Sequence, residues 1–194
     1  MHTITNGLAA ATLALASTLA GATTYAGNLG NPGNAALVGS DLGAPDFTDE
    51  NAIANNVALY TFTTSTGTVS IVSTGFAGGG VDPYFTLFSG TGGTATFYDS
   101  NYLQATSTGG DFVWSGALAA GTYEIALGAF ENMSFAENLG SGTLADGFIS
   151  LGDPNSLGDG SYALNVTTTV PEPSGAWLLL FGAAALATRI RRSR

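Results

Sequence analysis

Carboxylates and hydroxyls are the only side chains through which the body of this chain could carry out polar chemistry. Of its 14 acidic residues all but Glu172 lie between Gly27 and Val170, and that span contains no Lys, Arg, His or Cys. A Ser-His-Asp triad, a Cys-His pair, a Schiff-base Lys, a His-ligated zinc and an Arg-clamped phosphoryl group each need a residue type that is missing there. Paired acids alone can hydrolyse glycosides. Asp99, Asp111, Glu124, Glu131 and Glu137 are the raw material for that chemistry, but no spacing singles out a pair. Calcium is the cofactor that this composition suits, because it takes several oxygen ligands from carboxylates, amides and carbonyls. The best local set is Asp153, Asn155 and Asp159 within Gly152–Gly160, although Leu157 stands where an EF-hand loop needs an oxygen and Leu164 where it needs the bidentate Glu. Asp82, just before Pro83, suits a turn in which its carboxylate accepts backbone N–H groups. Tyr98, Tyr102, Phe112 and Trp114 could form a platform for sugar rings, with Phe112 and Trp114 expected in the core instead.

Charge placement narrows the partners. The formal net charge is −10, and the four basic residues are Arg189, Arg191, Arg192 and Arg194, with no Lys anywhere. An acidic body without cations repels phosphate backbones and anionic lipid faces, so nucleic-acid binding is excluded. The absence of Cys removes both a disulfide framework and a thiolate metal site.

The elements that would position these residues read as strands. Val57–Thr63, Thr68–Ser73, Tyr84–Ser89, Thr94–Tyr98, Asp111–Trp114, Thr122–Ala129 and Ser161–Thr168 are β-branched or aromatic runs separated by Gly-containing turns. Tyr123, Ile125 and Leu127, and again Tyr162, Leu164 and Val166, place a large apolar side chain at every second position. The residues between them, Thr122, Glu124, Ser161 and Asn165, are then expected to face water. Seven segments predict an all-β fold, a single antiparallel β-sandwich of jelly-roll type with one core. Residues 27–55 read as a loosely structured lead-in, 56–169 as the acidic sandwich, and 130–160 as a long insertion between strands.

Both ends carry address-like features. Residues 1–26 contain an Ala- and Leu-rich run from Leu8 to Ala20 and small residues suited to cleavage after Ala22 or Ala26, the layout of a secretory signal helix. Residues 170–194 begin with Pro171-Glu172-Pro173, a stretch that lacks amide donors at both prolines and should stand clear of a sheet. The apolar run Gly175–Ala187 follows and predicts a short transmembrane helix. The Arg cluster at 189, 191, 192 and 194 then favours the cytoplasmic side.

In motif, span and basic end, residues 170–194 resemble the PEP-CTERM sorting signal of exopolysaccharide-producing Gram-negative bacteria. That resemblance implies recognition of Pro171, Glu172 and Pro173 by an integral membrane exosortase, after export by the secretion machinery. It further implies transient anchorage in the inner membrane and delivery to the cell surface or extracellular matrix. A second resemblance lies in the body: Val81–Phe88, Gly121–Ile125 and Asp159–Val166 are similar to the bacterial pre-peptidase C-terminal domain and to the Phe-Asp-Pro group of surface proteins, with Val81 replacing the first residue of the latter's motif. Such domains are small sandwiches, usually without catalysis of their own. The combined expectation is a non-enzymatic surface or matrix component. The alternatives are a calcium-assisted module that binds exopolysaccharide and a carboxylate-based glycosidase.

Overall fold

The computed structural model describes residues 21–34, 53–101, 106–108 and 110–169. Residues Ala20–Val170 form one compact unit. Residues 1–20 of the expected signal helix, the sorting motif Pro171-Glu172-Pro173, the transmembrane run and the terminal arginines lie outside the described residues, as does Tyr102, whereas residues 21–26 of the expected signal helix form strand and not helix. No helix among the described residues is long and apolar enough to cross a membrane.

Among the described residues nine strands are arranged in two antiparallel sheets. They are β1 (Gly21–Asn28), β2 (Ala58–Thr64), β3 (Gly67–Thr74), β4 (Pro83–Ser89), β5 (Thr96–Ser100), β6 (Thr106–Thr108), β7 (Asp111–Leu118), β8 (Gly121–Ala129) and β9 (Ser161–Thr169). One sheet runs β1-β9-β3-β7-β6 and the other β2-β8-β4-β5. Each of the seven expected runs is a strand, within a residue or two at most boundaries. Two strands are additional: β6 pairs with β7, and β1, which begins inside the segment expected to be a leader, pairs with β9 from Gly21↔Thr168 to Asn28↔Ser161. The lead-in is therefore partly ordered: Leu29 and Ala54 are fully buried in the core between the sheets.

Period-two alternation builds that core. Phe85 and Leu87 from β4, Ile125 and Leu127 from β8, Ile71 from β3, Phe112 and Trp114 from β7 and Leu164 from β9 all point between the sheets and are fully buried. Phe85 stacks on Phe112 at 4.5 Å and meets Trp114 edge-on at 6.3 Å, the offset and T-shaped arrangements that ring quadrupoles favour.

A second apolar cluster corrects the one-core expectation. Val57, Phe88, Ala95, Ala126, Ala136, Leu144 and Phe148 pack together on the outer face of the four-stranded sheet. The insertion supplies three of them, through the short helix Phe135–Leu139, the 3-10 turn Leu144–Asp146 and the chain that follows. Covering this face buries β4 on both sides, so Tyr84, Thr86 and Phe88 are as inaccessible as Phe85 and Leu87. Glu124 on the neighbouring β8 is also buried, contrary to its expected solvent position. Its carboxylate accepts a hydrogen bond from the Gly92 N–H at 2.6 Å and thereby anchors the β4–β5 connection.

Candidate functional site

Two places concentrate polar groups, and they have opposite characters. The first is a buried carboxylate cluster on the four-stranded sheet. Helix Phe135–Leu139 starts at Ser134, whose side chain accepts from the Glu137 N–H at 3.1 Å and caps the first turn. This lays the Glu137 side chain on the sheet, where its carboxylate accepts from the hydroxyls of Tyr84, Ser100 (2.6 Å) and Thr86 (3.3 Å). Burial pushes the Glu137 carboxyl above the ordinary range. The bonds from Ser100, Tyr84 and Thr86 pull it back in part, and the charge of Asp99 raises it further.

Asp99 looks like a catalytic partner by proximity but faces the other way. Successive strand residues point to opposite faces. Ser100 therefore meets Glu137 outside the sheet, while Asp99 turns inward and accepts from the Trp114 indole N–H at 3.0 Å and from the Ser100 backbone N–H at 2.8 Å. The sheet itself separates the two carboxylates. A glycosidase needs its two acids on either side of one bound sugar, and this pair has no shared space for a substrate.

The remaining acids hold local structure. Asp111 accepts from Ser73 Oγ at 3.1 Å, and Asp146 closes a capping box with Thr143. Glu131 adopts φ 71°, in the left-handed region. Asp82 works through its backbone, contrary to the expected carboxylate-closed turn: its N–H donates to Ser156 O at 2.7 Å and its C=O accepts from the Phe130 N–H at 2.9 Å. Its carboxyl is raised by partial burial and by Asp111.

Of the candidate calcium ligands, Asp153 and Asn155 are brought together, with Asp153 Oδ1 accepting from both the backbone N–H and the side-chain amide of Asn155 at 2.9 Å. Asp159 turns to Ser161 instead, accepting from its N–H at 2.8 Å and from its hydroxyl, bonds that hold the Asp159 carboxyl below the usual range. Among the described residues no hydrogen bond links Asp159 to the other two, and no group of three or more acidic side chains is placed to hold a metal ion. One carboxylate oxygen of Asp153 and one of Asp159 accept from N–H and O–H donors two residues on, the geometry of Asx turns.

The second place is a cleft of about 320 Å³ at the side of the sandwich where β1 and β2, both edge strands, lie across from each other. Sequence reasoning missed it because three of its eight lining residues come from the segment assigned to the leader. Gly21, Thr23 and Tyr25 line it from β1, Thr61, Phe62 and Thr63 from β2, and Val166 and Thr168 from β9. The Tyr25 ring packs on Tyr60 at 4.8 Å, and its hydroxyl donates to Thr61 O at 2.8 Å, bridging the two sheets. Tyr60 and Tyr162 share a second bridging hydrogen bond at 2.8 Å. Hydroxyls and rings line the cleft, with no ionisable acid or base among them except the phenol of Tyr25, whose pKa burial raises. Phe112 and Trp114 are core residues, and Tyr98 is 43% exposed, its hydroxyl donating to Ala117 O at 3.0 Å.

No family model matches the chain, and no curated protein matches it either. Among solved structures it is similar to the pre-peptidase C-terminal domain of a collagenase from Bacillus anthracis. The identity is 16% and the TM-score 0.37, over 74% of this chain and 87% of that one. It is similar to the same degree to PliG, a periplasmic inhibitor of g-type lysozyme from Aeromonas hydrophila, with 16% identity and a TM-score of 0.37 over 80% of this chain and 93% of that one. The sandwich is established by the strand pairing itself.

Proposed function

We propose that this chain is a non-enzymatic exported protein, sorted through its PEP-CTERM-like tail by an exosortase and delivered to the cell surface or extracellular matrix. The observation that carries the non-catalytic part is the mutual exclusion of acids and cleft. The carboxylates of Asp99, Asp111, Glu124, Glu137, Asp146, Asp153 and Asp159 each accept hydrogen bonds from neighbouring protein groups, and the cleft between β1 and β2 has no carboxylate in its wall. The sorting part is supported by the sequence of residues 170–194, which follow directly on β9 and combine Pro171-Glu172-Pro173, an apolar run and all four arginines. Before processing, the tail would hold the protein in the inner membrane with Arg189, Arg191, Arg192 and Arg194 on the cytoplasmic side.

Replacing Pro171 and Pro173 together by Ala should leave the full-length protein in the inner-membrane fraction and reduce the surface-delivered form at least about tenfold, since removing both rings lets the hinge continue the following helix. Fractionation with intact-mass measurement checks this, and unchanged delivery counts against exosortase recognition.

The cleft favours one further reading, contact with an uncharged stretch of exopolysaccharide. Sugar rings present apolar faces and hydroxyl rims, and Tyr25, Phe62 and the threonines offer the complementary groups. Calorimetric titration with the cell's own polysaccharide, with and without calcium, separates this from the calcium-assisted alternative built on Asp153, Asn155 and Asp159. Binding in the cleft is indifferent to chelation.

A further inference from the structure

We infer that β1 belongs to the mature protein, and that the leader is removed after Ala22 and not after Ala26. The inference rests on the export reading and adds to it a processing site that the sequence leaves open between these two positions. A secretory leader is discarded, so any residue that the exported domain needs for packing must lie downstream of the cut.

Residues 23–28 are needed. Thr23 to Asn28 pair in unbroken antiparallel register with Val166 to Ser161, and the Thr24 hydroxyl donates to Asn165 Oδ1 at 2.7 Å. Tyr25 contributes its ring to Tyr60 and its hydroxyl to Thr61 O, so it ties the edge of one sheet to the edge of the other. Gly27 sits where the Tyr60 and Tyr162 hydroxyls meet, with a Cβ there falling 2.5 Å from one and 2.8 Å from the other. Asn28 donates to Asp159 O at 2.9 Å, and the Leu29 N–H reaches Gly160 O at 2.9 Å as its side chain enters the core.

A cut after Ala26 would start the chain at Gly27. It would strip β9 of four partners from Thr23 to Ala26, leave β9 as an uncharged open edge, and remove the Tyr25 bridge. A cut after Ala22 removes only Gly21 and Ala22, both exposed at the end of the strand. The one side-chain bond lost is from the Thr168 hydroxyl to Gly21 O, long at 3.3 Å. Ala20-Gly21-Ala22 also supplies small residues at the first and third positions before this cut.

The test is to express the full-length chain in a Gram-negative host, fractionate the cells, and read the amino terminus of the exported protein by intact mass and terminal sequencing. The expected terminus is Thr23. Ala26→Tyr should leave that terminus in place, whereas Ala22→Tyr should abolish it. A terminus at Gly27 overturns the inference and leaves export standing. An exported chain that retains Met1 does the same. A chain that retains Met1 and stays in the cytosol overturns the inference and the export reading together.

Discussion

Glu137→Ala is expected to lower the stability of the domain by about 3 kcal/mol, or on the order of 10 °C in the midpoint of thermal unfolding. The carboxylate is the common acceptor for the hydroxyls of Tyr84, Thr86 and Ser100, all three in buried residues. Deleting it strands three donors at once, and each buried unsatisfied group costs about 1–3 kcal/mol, offset in part where a water can enter. It also releases helix Phe135–Leu139 from the sheet it covers, so the apolar cluster around Phe88 and Phe148 loses part of its roof. Glu137→Gln keeps the volume, one acceptor oxygen and an amide whose hydrogens the hydroxyls can accept, and should cost about 1 kcal/mol. Urea unfolding of the two variants checks the ranking. Equal losses would mean that charge, not acceptor geometry, sets the interaction.

The same residue gives the pH dependence its sign. Burial raises the Glu137 carboxyl in the folded state, so the unfolded chain releases this proton at lower pH than the folded one. Between the ordinary carboxylate pKa and the raised folded value the native state holds more protons. Stability contributed here falls as pH climbs through that window and levels off above it. Asp82, also raised, acts in the same direction, and so does the mutual repulsion of an acidic body without cations. Asp159 opposes them, since its lowered carboxyl contributes stability that is lost only as pH falls through its folded value. The domain should therefore resist urea better at about pH 5 than at about pH 8. Glu137→Gln should flatten the difference, which a series of unfolding curves across this range would register.

What the sequence made legible follows from which physical signal each element carries. Strands β3, β7, β8 and β9 show clean alternation because one face of each packs inward. Tyr123, Ile125 and Leu127 were readable for that reason, as were Phe112 and Trp114. Glu124 was not, because its exposure depends on whether another segment covers the outer face, and nothing within β8 encodes the position of the β4–β5 connection that reaches it. Tyr84, Phe85, Leu87 and Phe88 carried a hint: large apolar side chains stand on both faces of β4, the pattern of a strand buried on both sides. The cleft was hidden by a different competition. Leu8 to Ala20 and the small residues after it signal a leader, and that signal absorbed Gly21–Ala26, most of β1, whose Thr-Thr-Tyr core has strand character of its own.

Trp114→Ala carries the other large expected effect, about 4 kcal/mol, because this side chain links the two sheets away from the cleft. Trp114 on β7 is fully buried. It stands edge-on to Phe85, lies over Gly116, where a Cβ would fall 2.6 Å from its ring, and donates its indole N–H to Asp99 on β5 of the facing sheet. Truncation opens a cavity in the middle of the sandwich and removes the side-chain donor to a buried carboxylate. Trp114→Phe separates these effects, since it retains most of the packing but not the N–H, and should cost about 2 kcal/mol. If the orphaned carboxylate is the cause, Asp99→Asn combined with Trp114→Phe should cost less than the sum of the single changes, because the neutral amide is cheaper to leave short of a donor. Additive losses in that cycle would assign the effect to ring shape. The sandwich would then be held at this edge by packing alone, with the tyrosine hydroxyls at the cleft as its polar clasp between sheets.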